Sequence, residues 1–217
     1  MSNKIKVAVI VGEHPYDVPS FQKAFESIDG IECYYQNMQE FTSSEQEMPG
    51  GTKWYDVLVF YNFHKATPAE KSPWFCGDTK GVLEKLGQTG QGILILHHAL
   101  LAYREWSKWS DICGMKDRSF AYHVGQNVDY QIVKQHPITE GVDNFSMIDE
   151  TYEMKSADEG SDVLVTTDHP KSAKSILWTR THGNAKIVCY ASGHDATAFN
   201  NPNFRKLVAN SIKWLKN

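Results

Sequence analysis

The chain is poor in the features that would settle its class at once. Its four cysteines, Cys33, Cys76, Cys113 and Cys189, are widely spread and form no Cys-x-x-Cys pair. They read as small buried hydrophobes of a reducing cytosol, with none acting as a catalytic nucleophile. No apolar run approaches the roughly 20 residues that span a bilayer, so no membrane partner is expected. Charge of one sign is also lacking. A formal net charge of −4 gives no electrostatic case for nucleic acid or for an anionic membrane surface. The opening MSNKIKVAVIVG has an apolar stretch too short for a signal-peptide core and no small-residue cleavage site; it reads as a first strand, and a cytoplasmic location is expected. Internal repeats, low-complexity segments and an interdomain linker are likewise missing. Residues 1–217 are therefore expected to form a single domain.

What is present is an alternation of apolar strands and helices. Continuous apolar runs at Lys6–Val11, Ile31–Tyr35, Asp56–Tyr61 and Ile93–Leu96 are separated by helical patterns over 20–28, 78–86 and 99–112. Strands apolar on both faces imply a parallel sheet covered by helices on both sides. The polar stretch 40–53, with Pro49-Gly50-Gly51, reads as a loop. The second half changes to alternating strands near 128–132, 146–154, 162–167, 175–181 and 185–190, with a hairpin turn at Gly183-Asn184. Asn201-Pro202 opens a closing helix whose apolar stripe runs from Phe204 to Leu215. The expected fold is α/β and three-layered: a mostly parallel sheet flanked by helices, flavodoxin-like, with antiparallel additions in the C-terminal half.

Open parallel sheets bind ligands beyond the carboxyl ends of their strands. The residues just past four strands are Glu13 and His14; Asn62 and His64; His97 and His98; and Ser192, Gly193, His194 and Asp195. Histidine stands at all four exits. In GILILHHALLA, residues 92–102, the strand-to-helix junction carries His97 where several hydrolase folds place a nucleophile. Imidazole there can be a base, a donor or a metal ligand, or a satisfied core residue. The spacing of His14, His97 and His194 matches no local metal signature, which leaves the metal question and the cofactor open. In SMIDETYEM, strand alternation puts Ile148, Glu150, Tyr152 and Met154 on one face and Asp149, Thr151 and Glu153 on the other. Glu150 among apolar neighbours is either paired or shifted toward acid–base use.

Three segments together carry a resemblance: GILILHHALLA, HPITEGVDNFSMIDETYEM and KIVCYASGHDATAFNNPNFRKLVANSIKWL. They resemble, in order, the His-x-Ala strand end, the HP-x-T-x-G segment leading to DE-x-Y, and the GH-plus-closing-helix motif of the trehalose-utilisation (ThuA-like) family. The resemblance implies a fold similar to class I glutamine amidotransferases, with histidine, here His97, in place of the cysteine. It also matches Glu150 and Tyr152, preceded by Asp149, to DE-x-Y, His194 to GH, and Trp178 to a tryptophan one strand earlier. His98 departs from the small residue the family often has at that place.

The resemblance implies sugar metabolism. The expectation is an enzyme, a hydrolase, lyase or isomerase, acting on a disaccharide or keto-glycoside. His97, Glu150 and His194 would be catalytic, and His14, Asn62, His98, Tyr152, Trp178 and Asp195 would hold the sugar. A two-carboxylate glycosidase is poorly served, since Glu13 and Asp195 are weak seconds to Glu150. The competing expectation is a non-catalytic sugar-binding or regulatory domain. A glutamine amidotransferase is rejected, because it needs cysteine at position 97. Homo-oligomerisation is left open.

Overall fold

The computed structural model describes residues 4–70, 73–74 and 77–217; Cys76 lies outside the described residues. The first half contributes β1 (Ile5–Gly12), α1 (Val18–Glu26), β2 (Ile31–Asn37), α2 (Met38–Glu47), β3 (Val57–Asn62), α3 (Thr79–Glu84) and β4 (Gly92–Leu96). The second contributes α4 (Ser107–Cys113), β5 (Phe120–Ile132), β6 (Phe145–Met154), β7 (Asp162–Thr166), β8 (Ser175–His182), β9 (Ala185–Tyr190), α5 (Ala196–Asn200) and α6 (Pro202–Lys216). The strands form one sheet in the order β2-β1-β3-β4-β9-β8-β7-β5-β6. From β2 to β9 every pairing is parallel, and from β9 outward every pairing is antiparallel. The expected α/β class, parallel in the first half with antiparallel additions, is what the chain adopts.

Alternation along the parallel strands builds two cores. Val7, Val9, Val57, Val59, Leu94 and Leu96 face α1 and α6, where Phe21, Phe25, Leu207 and Ile212 pack on them. Ala8, Ile10, Leu58, Phe60, Ile93 and Ile95 face the other way, toward Phe41 of α2, Leu83 of α3 and Trp109 and Ile112 of α4. All of these are essentially fully buried. Each large aliphatic or aromatic side chain so buried contributes about 1.5–3 kcal/mol relative to exposure. The closing helix behaves as its stripe requires: Asn201 caps it by accepting from the Asn203 and Phe204 N–H groups, with Pro202 in its first turn.

Two expectations fail. The stretch 40–53 is not a loop: α2 runs through it, opened by a reciprocal cap in which Asn37 accepts from the Glu40 N–H and Glu40 accepts from the Asn37 N–H. Met38 and Phe41 anchor it to the sheet. The helix expected over 99–112 is broken into a 3-10 turn at His97–Leu101 and the short α4. The cause is Arg118, which is buried without a carboxylate partner among the described residues. Its guanidinium donates to the carbonyls of Leu100, Ala102, Tyr103, Arg104 and Trp106, and carbonyls held that way are lost to a continuous helix. Tyr103 adds a left-handed backbone, φ +47°. Among the described residues no helix is long and apolar enough to cross a membrane.

Candidate functional site

A cavity of about 600 Å³ lies at the carboxyl ends of the parallel strands. His14 after β1, His98 after β4, Glu150 and Tyr152 of β6, and His194 after β9 all line it. His97 sits directly behind them, fully buried. Sequence order scatters these residues over 180 positions; the strand exits bring them together. Phe63, Phe120, Tyr122 and Val124 add an apolar wall, and Lys65 and Arg104 are the cations among the lining residues. Tyr122 and Val124 are exposed, so this wall stands open to solvent on one side.

His97 occupies the elbow with φ +52°, a left-handed conformation that costs a β-carbon-bearing residue about 1–2 kcal/mol. The bend turns its ring back across the sheet. Nδ1–H donates to the Ala191 carbonyl at 3.0 Å, because a carbonyl can only accept. With Nδ1 as the donor, Nε2 is the ring's remaining position toward the cavity. Around Nε2 stand the Tyr152 hydroxyl at 2.8 Å, His194 Nδ1 at 3.2 Å and Glu150 Oε1 at 3.4 Å. His194 Nδ1 is in turn 3.5 Å from Glu150 Oε1. Burial works to raise the Glu150 pKa, but the His97 and His194 imidazoles and the Tyr152 hydroxyl bring it below the ordinary carboxylate value.

The other two imidazoles have lowered pKa values. Burial, then the neighbouring His97 and His14 rings, push His98 down to about 2. Its Nε2–H donates to the Tyr61 carbonyl at 3.2 Å, while Nδ1 is a buried acceptor with no partner among the described residues. His14 stacks on His98 with ring centroids 4.2 Å apart, and burial lowers its pKa as well.

Asp149 was expected on the face opposite Glu150, and it performs the work that assembles the site. It is fully buried, with both oxygens occupied by backbone donors: Gly193 N–H at 2.8 Å, His194 N–H at 3.0 Å and Glu150 N–H at 2.9 Å. Complete burial raises its pKa against the pull of His97 and these three N–H groups. The alternation read in SMIDETYEM holds only in part. Residues 149–152 are buried on both faces of the strand, and Ile148, expected beside Glu150 on the inner face, is half exposed. The loop it grips needs Gly193: φ is +109°, and a β-carbon there would lie 2.7 Å from the Phe204 ring.

Three of the expected sugar-holding residues are not among those lining the cavity. Trp178 is wholly buried in the core, its indole N–H bonded to the Cys113 carbonyl at 2.9 Å. Asp195 caps α5 by accepting from the Thr197 and Ala198 N–H groups. Asn62 is buried behind the wall and its amide pairs with His64 Nδ1 at 3.1 Å. Cys33, Cys113 and Cys189 are free thiols; burial pushes Cys33 up to about 11 and raises Cys189 well above its usual range, neither of which suits a nucleophile.

The family model described as trehalose utilisation matches residues 6–215. Among solved structures, the chain is similar to a ThuA-like protein from Parabacteroides merdae, with 18% identity and a TM-score of 0.70 over 98% of this chain and 90% of that one. It is also similar to a cytoplasmic protein from Salmonella typhimurium, with 13% identity and a TM-score of 0.69 over 97% of this chain and 100% of that one. A β-galactosidase from Bacillus circulans shares the fold across 98% of this chain but only 31% of its own length, at 13% identity and a TM-score of 0.63. No curated protein matches the sequence.

Proposed function

The chain belongs to the trehalose utilisation (ThuA) family, a membership that suggests a role in sugar metabolism, and from that premise we propose that it is an enzyme acting on a disaccharide or keto-glycoside in the cavity above His97. The observation that carries this is the convergence of His97 Nε2, Glu150 Oε1 and His194 Nδ1 within 3.5 Å of one another at the cavity floor. His97 Nε2 is the base, aimed by the Nδ1–H bond to the Ala191 carbonyl. Glu150 is the second proton acceptor, and the Tyr152 hydroxyl passes protons between them. His194 hydrogen-bonds the substrate's hydroxyls, with His98 packed behind it and His14 at its flank. Phe63, Phe120 and Tyr122 offer apolar faces to the sugar ring.

The cavity lining holds one carboxylate, Glu150. Ordinary glycoside hydrolysis uses a pair about 5–10 Å apart. Abstraction of a proton next to a ketone needs a base and a polarising group instead, and histidine with glutamate suits that reaction. The favoured substrate is therefore a keto-sugar derivative. The protein works in the cytoplasm as a single domain, which agrees with its free thiols.

The second reading, a sugar-binding domain without turnover, keeps the same cavity. Purified protein offered a panel of disaccharides and their keto forms separates the two. Turnover of a keto form is expected; a rise in melting temperature with no product supports the binder; silence in both assays sinks the sugar reading.

A further inference from the structure

His97 Nε2, Glu150 Oε1 and His194 Nδ1 converge on one place, beside the Tyr152 hydroxyl, which donates to Nε2 at 2.8 Å in this structure. His97 Nε2 is an acceptor because Nδ1 carries the proton given to Ala191. Glu150 Oε1 is an acceptor, and His194 Nδ1 completes the triangle, with edges of 3.2, 3.4 and 3.5 Å. Among the described residues Glu150 pairs with the two histidines and with no lysine or arginine. The positive partner is a proton or a metal ion.

The edge lengths decide between them. Nitrogen–oxygen hydrogen bonds cluster near about 2.9–3.0 Å, so the two contacts to Glu150, 3.4 and 3.5 Å, are long for shared protons. Zinc-type ions bind imidazole nitrogen and carboxylate oxygen at about 2.0–2.2 Å in a tetrahedron, whose ligand-to-ligand edge is then about 3.3–3.5 Å. The triangle has those dimensions. We infer that His97 Nε2, Glu150 Oε1 and His194 Nδ1 form one face of a tetrahedral site for a single divalent transition-metal ion, with its remaining position toward the cavity.

The surroundings are those of a ligand set. A metal-binding histidine ordinarily gives its other N–H to a carbonyl or carboxylate, which fixes the tautomer, as Ala191 does for His97. Asp149 accepts the backbone N–H of both Glu150 and His194 and so ties two ligands from different strands together. The cavity is bordered by Glu150 and His194 themselves, giving room for exchangeable oxygen ligands. One carboxylate and two neutral imidazoles leave a net charge of +1 with the ion, enough to polarise a carbonyl oxygen. Vicinal carbonyl and hydroxyl oxygens, which a keto-sugar carries and a plain glycoside does not, are the pair such an ion would chelate. With the ion bound, His97 Nε2 is a ligand in place of a base and gives up the Tyr152 hydroxyl, and the ion takes over the polarising role. The inference rests on the sugar reading for what the ion meets, and on the triangle for the ion itself.

The test uses chelator-stripped protein titrated with ZnCl2 by calorimetry and with CoCl2 by visible absorption. One ion per chain and the intense cobalt band of a tetrahedral site are expected. Glu150→Gln and His194→Ala should each weaken binding by about a hundredfold or more, since even outer partners of a metal ligand are worth about 10–100-fold. His194 is partly exposed, so its replacement is tolerated by the fold. His123→Ala, on the β5 surface, should leave binding unchanged. Absence of saturable binding, or binding that survives both ligand replacements, overturns the site. Adding a keto-disaccharide to the cobalt protein separates the two readings. A shifted band supports both. An unmoved band keeps the ion and removes the sugar. A sugar-induced rise in melting temperature without cation binding removes the ion and leaves acid–base chemistry.

Discussion

His97 gives its Nδ1 proton to the carbonyl of Ala191, 94 residues later, across the β4–β9 pairing. This one bond sets which nitrogen faces the cavity. It depends on a backbone at φ +52°, a region that asparagine tolerates better than most residues.

Replacing His97 by asparagine therefore relieves strain while losing a hydrogen bond, and the two nearly cancel. The melting temperature should stay close to the parent's, within the equivalent of about 1 kcal/mol. Turnover of a responding keto-sugar should fall a hundredfold or more, the usual contribution of a general base. Calorimetric melting beside a turnover assay checks both. Early melting with normal turnover would make His97 a purely structural residue.

Asp149→Ala should behave in the opposite way. It strands three buried N–H groups, those of Glu150, Gly193 and His194. A loss of about 3 kcal/mol or more is expected from denaturant unfolding, since each unsatisfied buried donor costs about 1–3 kcal/mol. A variant within about 1 kcal/mol of the parent would show that water replaces the carboxylate there.

Trp178 and Tyr152 form a second contrasting pair. Trp178→Phe loses the bond to Cys113 and leaves a gap in the core, and should cost about 2–4 kcal/mol with sugar affinity unchanged. Tyr152→Phe removes the hydroxyl beside His97 and should lower turnover with stability nearly kept. Unfolding curves and sugar titrations of the two variants should separate cleanly. Weakened sugar binding in the Trp178 variant would return that residue to the site.

A pH dependence follows from Asp56, which accepts from the Lys6 N–H at 2.9 Å and from Lys216 Nζ at 2.7 Å. Burial works to raise its pKa, but these partners outweigh it and the folded value lies below the ordinary one. The stabilisation is then complete above the unfolded pKa of about 3.9 and fades as pH falls through the folded value. Asp56→Asn should cost about 1 kcal/mol at pH 7, and the difference from the parent should close as pH falls below the ordinary carboxylate range and through the folded value. A gap that persists at low pH would assign the cost to packing rather than charge.

How much was legible varied with the physics involved. Strand ends were legible, because a strand apolar on both faces announces itself, and the exits then place His14, His97, His98 and His194 on one edge of the sheet. Glu150 followed from its neighbours on β6, and Tyr152 from the DE-x-Y match of the family resemblance. The helix α2 was hidden by Pro49-Gly50-Gly51, although the Asn37 and Glu40 cap lay in plain sight three residues apart. Asp149 was not legible in its role: alternation assigned it a face, but its partners come from a loop 44 and 45 residues away. Trp178, matched through the family resemblance, is a core ring, and Asp195, chosen for its place past a strand, is a helix cap; neither a motif match nor a strand exit tells the two uses apart.

The grip of Asp149 has a kinetic corollary. β6 is one of the two edge strands, and with most of β5 it forms a two-stranded arm that is joined to β7 by two residue pairs and the Val133 N–H bond to the Leu164 carbonyl. The amides of Gly193 and His194, though they follow a central strand, are protected by a carboxylate on that arm. Their hydrogen exchange should thus keep time with the arm and not with β9. Each opening event would undo the triangle of His97, Glu150 and His194, release whatever it holds, and rebuild it on reclosing.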